Sequence, residues 1–159
     1  MNKKQVKPKC CATGVQFAVV VARFNQNITD KLLKACLDEF ARLGVCECQV
    51  QVVPVPGAFE LPVTALKLAL KKKIKAVICL GAVIKGQTFH YELVAQEAAR
   101  GIMDVALKTG KPVVFEVLAA DTVGLCLARA KDGDHDNKGA SAARAAFDMA
   151  NTLDNCSYA

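Results

Sequence analysis

Two hydrophobic periods take turns along this chain. Residues 15–22 form a valine-rich apolar run broken only by Gln16, the pattern of a strand buried in a parallel sheet. Ile28, Leu32, Cys36, Phe40 and Leu43 then recur at helical spacing, and Gly44 supplies a stop. Residues 45–53 predict a second strand, broken by Pro54 and Pro56-Gly57. Residues 61–72 predict a helix that tolerates Pro62 in its first turn. The same alternation continues with a strand over 75–84, a loop over 85–88 and a long helix over 89–108 closed by Gly110. A fourth strand follows over 112–118, then a short helix over 122–130, a charged loop over 131–136 and a last helix from 137 to 153. Strands alternating with helices imply a parallel sheet covered on both faces. Residues 1–13 are polar and predict an N-terminal arm, which leaves 14–159 as one domain.

Composition changes this picture little. With 53% hydrophobic and 23% charged residues the chain has an ordinary globular balance. The longest apolar runs are too short to cross a bilayer, and no apolar stretch follows the N-terminal lysines. The cytoplasm is therefore the expected compartment, with no membrane partner. The net charge of +6 suggests affinity for anions. Lys71, Lys72, Lys73 and Lys75 form the dense basic run, where they read as a solvated helix end complementing the dipole. No interleaved aromatics point to nucleic acid. Eight cysteines form no C-x-x-C pair, and with two histidines, His90 and His135, they read as structural thiols rather than a metal site. Cys46 and Cys48, two apart on the predicted second strand, should share a face.

In an open parallel sheet, ligands bind beyond the carboxyl ends of the strands. That rule selects four loops: Arg23-Phe24-Asn25, then Pro56 to Glu60, then Lys85 to His90, then Ala119 to Thr122. Gly86-Gln87-Thr88 precedes a helix, so it is either an anion cradle of free N–H groups or a plain cap with Thr88 as N-cap. It is neither a Walker A loop nor a dinucleotide fingerprint. His90 falls in the first turn of the same helix, where an imidazole can exchange protons with a ligand held by the loop. Phe24 is either a face for a flat heterocycle or a cover for the core. Glu60 either accepts hydrogen bonds from a ligand or caps its helix.

Taken together, Ala22-Arg23-Phe24-Asn25, Pro56-Gly57-Ala58-Phe59-Glu60, Gly81 to His90, Pro112-Val113-Val114-Phe115 and Asn137-Lys138-Gly139 resemble the lumazine synthase family. Any one segment is weak; the set, in family order from Gly14 to the last helix, is highly specific. The resemblance implies a flavodoxin-like three-layer α/β/α fold with a four-stranded parallel sheet. It implies a transferase of riboflavin biosynthesis that condenses 5-amino-6-(D-ribitylamino)uracil with 3,4-dihydroxy-2-butanone 4-phosphate, without cofactor or metal. It also implies a homopentamer with sites between subunits, a sixty-subunit shell as a further assembly, and riboflavin synthase as a candidate partner.

The resemblance also implies roles. His90 moves protons. Phe24, Ala58, Phe59, Glu60, Ala82, Val83 and Ile84 hold the pyrimidine and ribityl chain. Gln87 and Thr88 bind phosphate. Phe115 and Arg129 come from the neighbouring subunit, with Arg129 on the phosphate. Asn25 and Lys138 are further candidates. The chain departs from the family pattern where Lys85-Gly86 replaces Arg-Gly, where Glu116 replaces a glycine, where Ala119-Ala120 replace a threonine pair, and in the acidic, longer loop over 131–136. Three rival readings are a non-catalytic flavin or pterin binder, a shell protein and a flavodoxin-type carrier. The presence of His90 and Arg129 favours the enzyme over the binder, and the Gly86-Gln87-Thr88 loop favours it over the shell protein; the carrier is disfavoured because no serine/threonine-rich phosphate loop follows the first strand and the net charge is positive.

Overall fold

A computed structural model of the chain describes residues 16–133 and 136–156. The predicted arm over 1–13, and His135 within the predicted 131–136 loop, lie outside the described residues.

Four strands pair in the order β2-β1-β3-β4, all parallel. They are β1 (Phe17–Ala22), β2 (Val50–Val55), β3 (Ala76–Ile84) and β4 (Val113–Ala120). The helices are α1 (Gln26–Arg42), α2 (Leu61–Ala69), α3 (His90–Thr109), α4 (Val123–Arg129) and α5 (Lys138–Cys156). Successive side chains of β1 point to opposite faces, and both faces are apolar. Phe17, Val19 and Val21 pack with α1 and α5, whereas Ala18, Val20 and Ala22 pack with α2 and α3. Helices cover both faces, so the fold is the expected flavodoxin-like three-layer sandwich.

Several boundaries differ from the pattern reading. The second strand does not begin at Val45. Glu47–Gln49 is a 3-10 turn, closed by the Gln49 N–H donating to the Cys46 carbonyl at 2.8 Å. The strand then runs through Pro54, which is tolerated because β2 lies at the sheet edge. Cys46 and Cys48 therefore do not share a strand face. Both are disulfide-bonded, whereas Cys36, Cys79, Cys126 and Cys156 are free thiols. The thiol reading is thus corrected for the first pair. Composition speaks to whether a chain needs a staple, not to whether sulfurs meet.

Helix α2 stops at Ala69 rather than Lys72, because the chain turns to bury Ile74. Strand β4 runs two residues past the expected end, since Ala119 and Ala120 pair with Val83 and Ile84. The cap of α3 is Phe89, with no side-chain hydrogen bond, rather than Thr88. The cap of α4 is Thr122, whose Oγ1 accepts the Leu125 N–H at 3.3 Å.

Candidate active site

The strand order reverses between β1 and β3, whose connections leave toward opposite faces. A crevice must open at such a switch point. A cavity of about 800 Å³ lies there, on the α2/α3 side. Two loops, the end of β3 and one helix face wall it.

The first loop brings Phe24. Its N–H donates to the Pro56 carbonyl at 3.0 Å and the Arg23 N–H to the Val55 carbonyl at 2.8 Å. Asn25 follows in the left-handed region, φ 59°, and its Nδ2 donates to the Ala82 carbonyl at 2.9 Å. Asparagine is one of the few residues that tolerate this backbone, and its amide ties the turn to β3. Asn25 is thus not a cavity wall; it fixes the backbone beside Phe24. The Phe24 ring itself remains 71% exposed. An apolar ring held out on a pinned backbone suits a planar ligand.

The second loop, Pro56 to Glu60, forms another wall. Glu60 Oε2 accepts the Gly57 N–H at 2.9 Å, so the carboxylate caps its 3-10 turn while lining the cavity. Phe59 is exposed and Ala58 is buried beneath it. Ala82, Val83 and Ile84, the end of β3, form the floor. Helix α3 closes the remaining side with His90, Tyr91, Leu93, Val94 and Glu97.

Eight of the expected residues therefore meet in one cavity: Phe24, Ala58, Phe59, Glu60, Ala82, Val83, Ile84 and His90. The others do not line it. Gln87 and Thr88 are exposed in the loop before α3. Beside them the Lys85 ammonium sits 3.6 Å from Asp121 Oδ1 and 5.9 Å from the Tyr91 ring centroid. Phe115 stands on the edge strand β4, 42% exposed. Arg129 ends α4, where its Nη1 donates to the Leu125 carbonyl at 3.0 Å. Lys138 begins α5 and is exposed.

Tyr91, Leu93, Val94 and Glu97 were missed. The signal was present, because 90, 93, 94 and 97 follow the i, i+3, i+4, i+7 spacing of one helical face. Once His90 is placed at the cavity, that face must follow it in. Among the described residues no three His, Cys, Asp or Glu side chains converge as metal ligands would.

An aromatic platform, a capped carboxylate and a histidine converge at the start of a long helix, within a mostly apolar crevice. The sequence model of the 6,7-dimethyl-8-ribityllumazine synthase family matches residues 14–154. The chain belongs to that family. A 6,7-dimethyl-8-ribityllumazine synthase from Desulfotalea psychrophila (strain LSv54 / DSM 12343) is 48% identical over 145 residues, covering 90% of this chain and 92% of that protein. Membership accounts for the motif set and for the sheet order alike, since both lie within the matched span. In this lumazine synthase family member the cavity at the switch point is lined by Phe24, Glu60 and His90.

Proposed function

We propose that the protein condenses 5-amino-6-(D-ribitylamino)uracil with 3,4-dihydroxy-2-butanone 4-phosphate to 6,7-dimethyl-8-ribityllumazine, releasing phosphate and water. The observation that carries this reading is the meeting of Phe24, Glu60 and His90 in one cavity of about 800 Å³, large enough for a ribityl-pyrimidine. The pyrimidine lies against Phe24, over the floor of Ala82, Val83 and Ile84. The ribityl chain runs along Ala58, Phe59 and Glu60. The phosphate sits at the loop of Gln87 and Thr88, where free N–H groups precede α3.

The chemistry needs little beyond placement and proton transfer. The primary amine of the pyrimidine adds to the ketone, and the carbinolamine loses water to give an imine. A carbon-bound proton and the phosphate then leave, and the ribitylamino nitrogen closes the ring with loss of a second water. His90 accepts and returns protons in these steps. Holding the two reactants together supplies most of the rate, because an effectively unimolecular step avoids the entropy of encounter.

Phe115, Arg129 and Lys138 lie away from the cavity of their own chain, so in this reading they complete the site of a neighbouring copy. The apolar residues left uncovered on α2 and α3, Val63, Leu93, Met103 and Leu107, support such an assembly. The assembly is a pentamer, with a sixty-subunit shell and riboflavin synthase as further candidates. No helix among the described residues is long and apolar enough to cross a membrane, and the cytoplasm is the proposed compartment.

The test mixes purified protein with both substrates and follows lumazine fluorescence and released phosphate. Fluorescence that grows with enzyme concentration, with one phosphate per lumazine, is expected. A rate equal to the uncatalysed background sinks the reading. Sedimentation of an active monomer near 17.0 kDa sinks the shared site while sparing the reaction.

A further inference from the structure

The cavity carries a carboxylate that the condensation leaves without a task. Glu97 lines it from α3, two turns after His90 on the same helical face. The next turn of α3 fixes its level. A β-carbon on Gly101 would lie 2.9 Å from Pro62, so α3 meets the start of α2 at Gly101. Glu97 stands one turn nearer the carboxyl ends of the strands, alongside the 3-10 turn Ala58–Glu60 that leads into α2. The apolar contacts agree, since Ala58 packs in one cluster with Ala98 and the half-buried Val94 of α3.

Two carboxylates therefore wall this end of the cavity, and each is held by one oxygen. Glu60 Oε2 accepts the Gly57 N–H at 2.9 Å. Glu97 Oε2 accepts the Arg100 Nε–H at 3.0 Å, and Arg100 Nη2 donates to the same oxygen. Arg100 is braced in turn by Asp104, with Nη1 3.8 Å from Oδ2. Neither glutamate Oε1 has a hydrogen-bond partner among the described residues. Two fixed side chains thus keep one strong acceptor each on a mostly apolar crevice. Hydrogen bonds to a charged acceptor are the strong ones, and a carboxylate oxygen can take more than one. A chain of neutral hydroxyl groups offers donors in a row; a phosphate or a bare aromatic ring offers none. As a surface ion pair with Arg100 and nothing more, Glu97 would contribute little.

We propose that Glu97 is a specificity-determining residue of this site: its free carboxylate oxygen accepts hydrogen bonds from the distal hydroxyls of the ribityl chain, which Glu60 holds from the other wall. This rests on the reading that places the ribityl-pyrimidine in the cavity. Seven residues of helix put Glu97 about 10 Å along the axis from His90, comparable to the length of a pyrimidine carrying an extended five-carbon chain. With the reacting amines near His90, the end of the chain therefore comes level with Glu97. Arg100 occupies the second oxygen and so restricts the side chain before substrate arrives, which removes part of the rotamer cost of binding.

The test sets the ribityl substrate against 5-amino-6-pentylaminouracil, which keeps the ring and both amines and lacks the hydroxyls. The pentyl compound is used as a competitor, so its inhibition constant is read whether or not it reacts. Glu97→Ala should raise KM for the ribityl substrate about tenfold, the scale of a hydrogen bond to a charged group. Its kcat, its KM for the ketose phosphate and its inhibition constant for the pentyl compound should stay near the wild-type values. Arg100→Ala should raise the same KM by a smaller factor, about threefold, because the carboxylate remains but is no longer held. Alanine is the best helix former, so Glu97→Ala should fold and sediment as the wild type does. An unchanged KM, or equal losses for the ribityl and pentyl compounds, overturns the proposal and leaves the reaction standing. Altered sedimentation makes Glu97 an assembly contact and overturns it as well. A wild type that fails to convert the ribityl substrate sinks the underlying reading, and the proposal with it.

Discussion

On one face of the sheet α1 and α5 close completely over β1 and β3; on the other, α2 and α3 leave a mouth at the carboxyl ends of the strands. The closed face is made with small residues. Gly139, Ala140, Ala142, Ala143, Ala146 and Ala150 are the buried positions of α5, and they let its backbone approach α1. One buried charge crosses this contact: Glu39, 7% exposed, accepts from Arg144 at 3.0 Å and from Arg42 at 3.1 Å. The open face carries large side chains that its own chain does not cover, Phe24, Phe59, Leu93, Met103 and Leu107 among them. One alternating strand pattern thus serves two ends. Where helices meet closely the apolar surface is spent on stability, and where they part it remains for a ligand or another copy.

The sharpest way to break the closed face is Gly139→Ala. The added carbon has no room at 1.9 Å from the Leu32 carbonyl oxygen, and the obstacle is backbone. Overpacking of this kind costs about 3 kcal/mol or more. Urea unfolding should show the midpoint falling by that scale, or the protein should not accumulate in folded form. A midpoint within error of the wild type would mean that α5 can lift from α1 freely.

Substitutions at the candidate site, whether in its own chain or from a neighbouring copy, should spare stability and strike kinetics. Arg129→Ala should raise KM for the ketose phosphate by about tenfold to thirtyfold, because a guanidinium pairs with phosphate oxygens that only this substrate carries. Steady-state kinetics with each substrate varied in turn is the check. Equal losses for both substrates would instead make Arg129 a contact that holds the assembly together. His90→Ala should slow single turnover by about tenfold, less than general acid–base catalysis commonly supplies, because placement does most of the work. An unimpaired variant would leave His90 as a helix-start residue without touching the family assignment.

The smallest effect concerns the buried pair on the closed face. The Arg144 guanidinium beside Glu39 holds its carboxyl below the usual carboxylate range, with Arg42 adding to it. A group lowered on folding contributes stability that is present above its unfolded value and is lost as pH falls through its folded value. Thermal midpoints should therefore decline as pH drops below about 4.5, the ordinary glutamate range. Glu39→Gln should flatten that decline and lower the midpoint slightly at neutral pH. A decline of the same steepness in the variant would place the acid sensitivity in other carboxylates.

Much was legible from the chain alone, and for local reasons. A valine-rich run bounded by turn residues, or an apolar stripe every three to four positions, is decided by neighbours in sequence. Hence the four strands, the five helices and the cavity wall of Phe24, Pro56 to Glu60 and the end of β3 followed from pattern, strand-end logic and the family motifs. Boundaries were less legible. The turn at Glu47–Gln49 and the early end of α2 depend on which carbonyl lies within reach of which N–H, and on the burial of Ile74. Three matters belonged to the tertiary structure alone. Asn25 proved to be a brace for the first loop, since only the fold brings Ala82 to its amide. Glu60 proved to cap its own turn while facing the cavity. Tyr91, Leu93, Val94 and Glu97 became cavity walls because α3 crosses the switch point at that angle. Contacts between distant residues are set by how layers stack, and that geometry is not written in any local stretch of sequence.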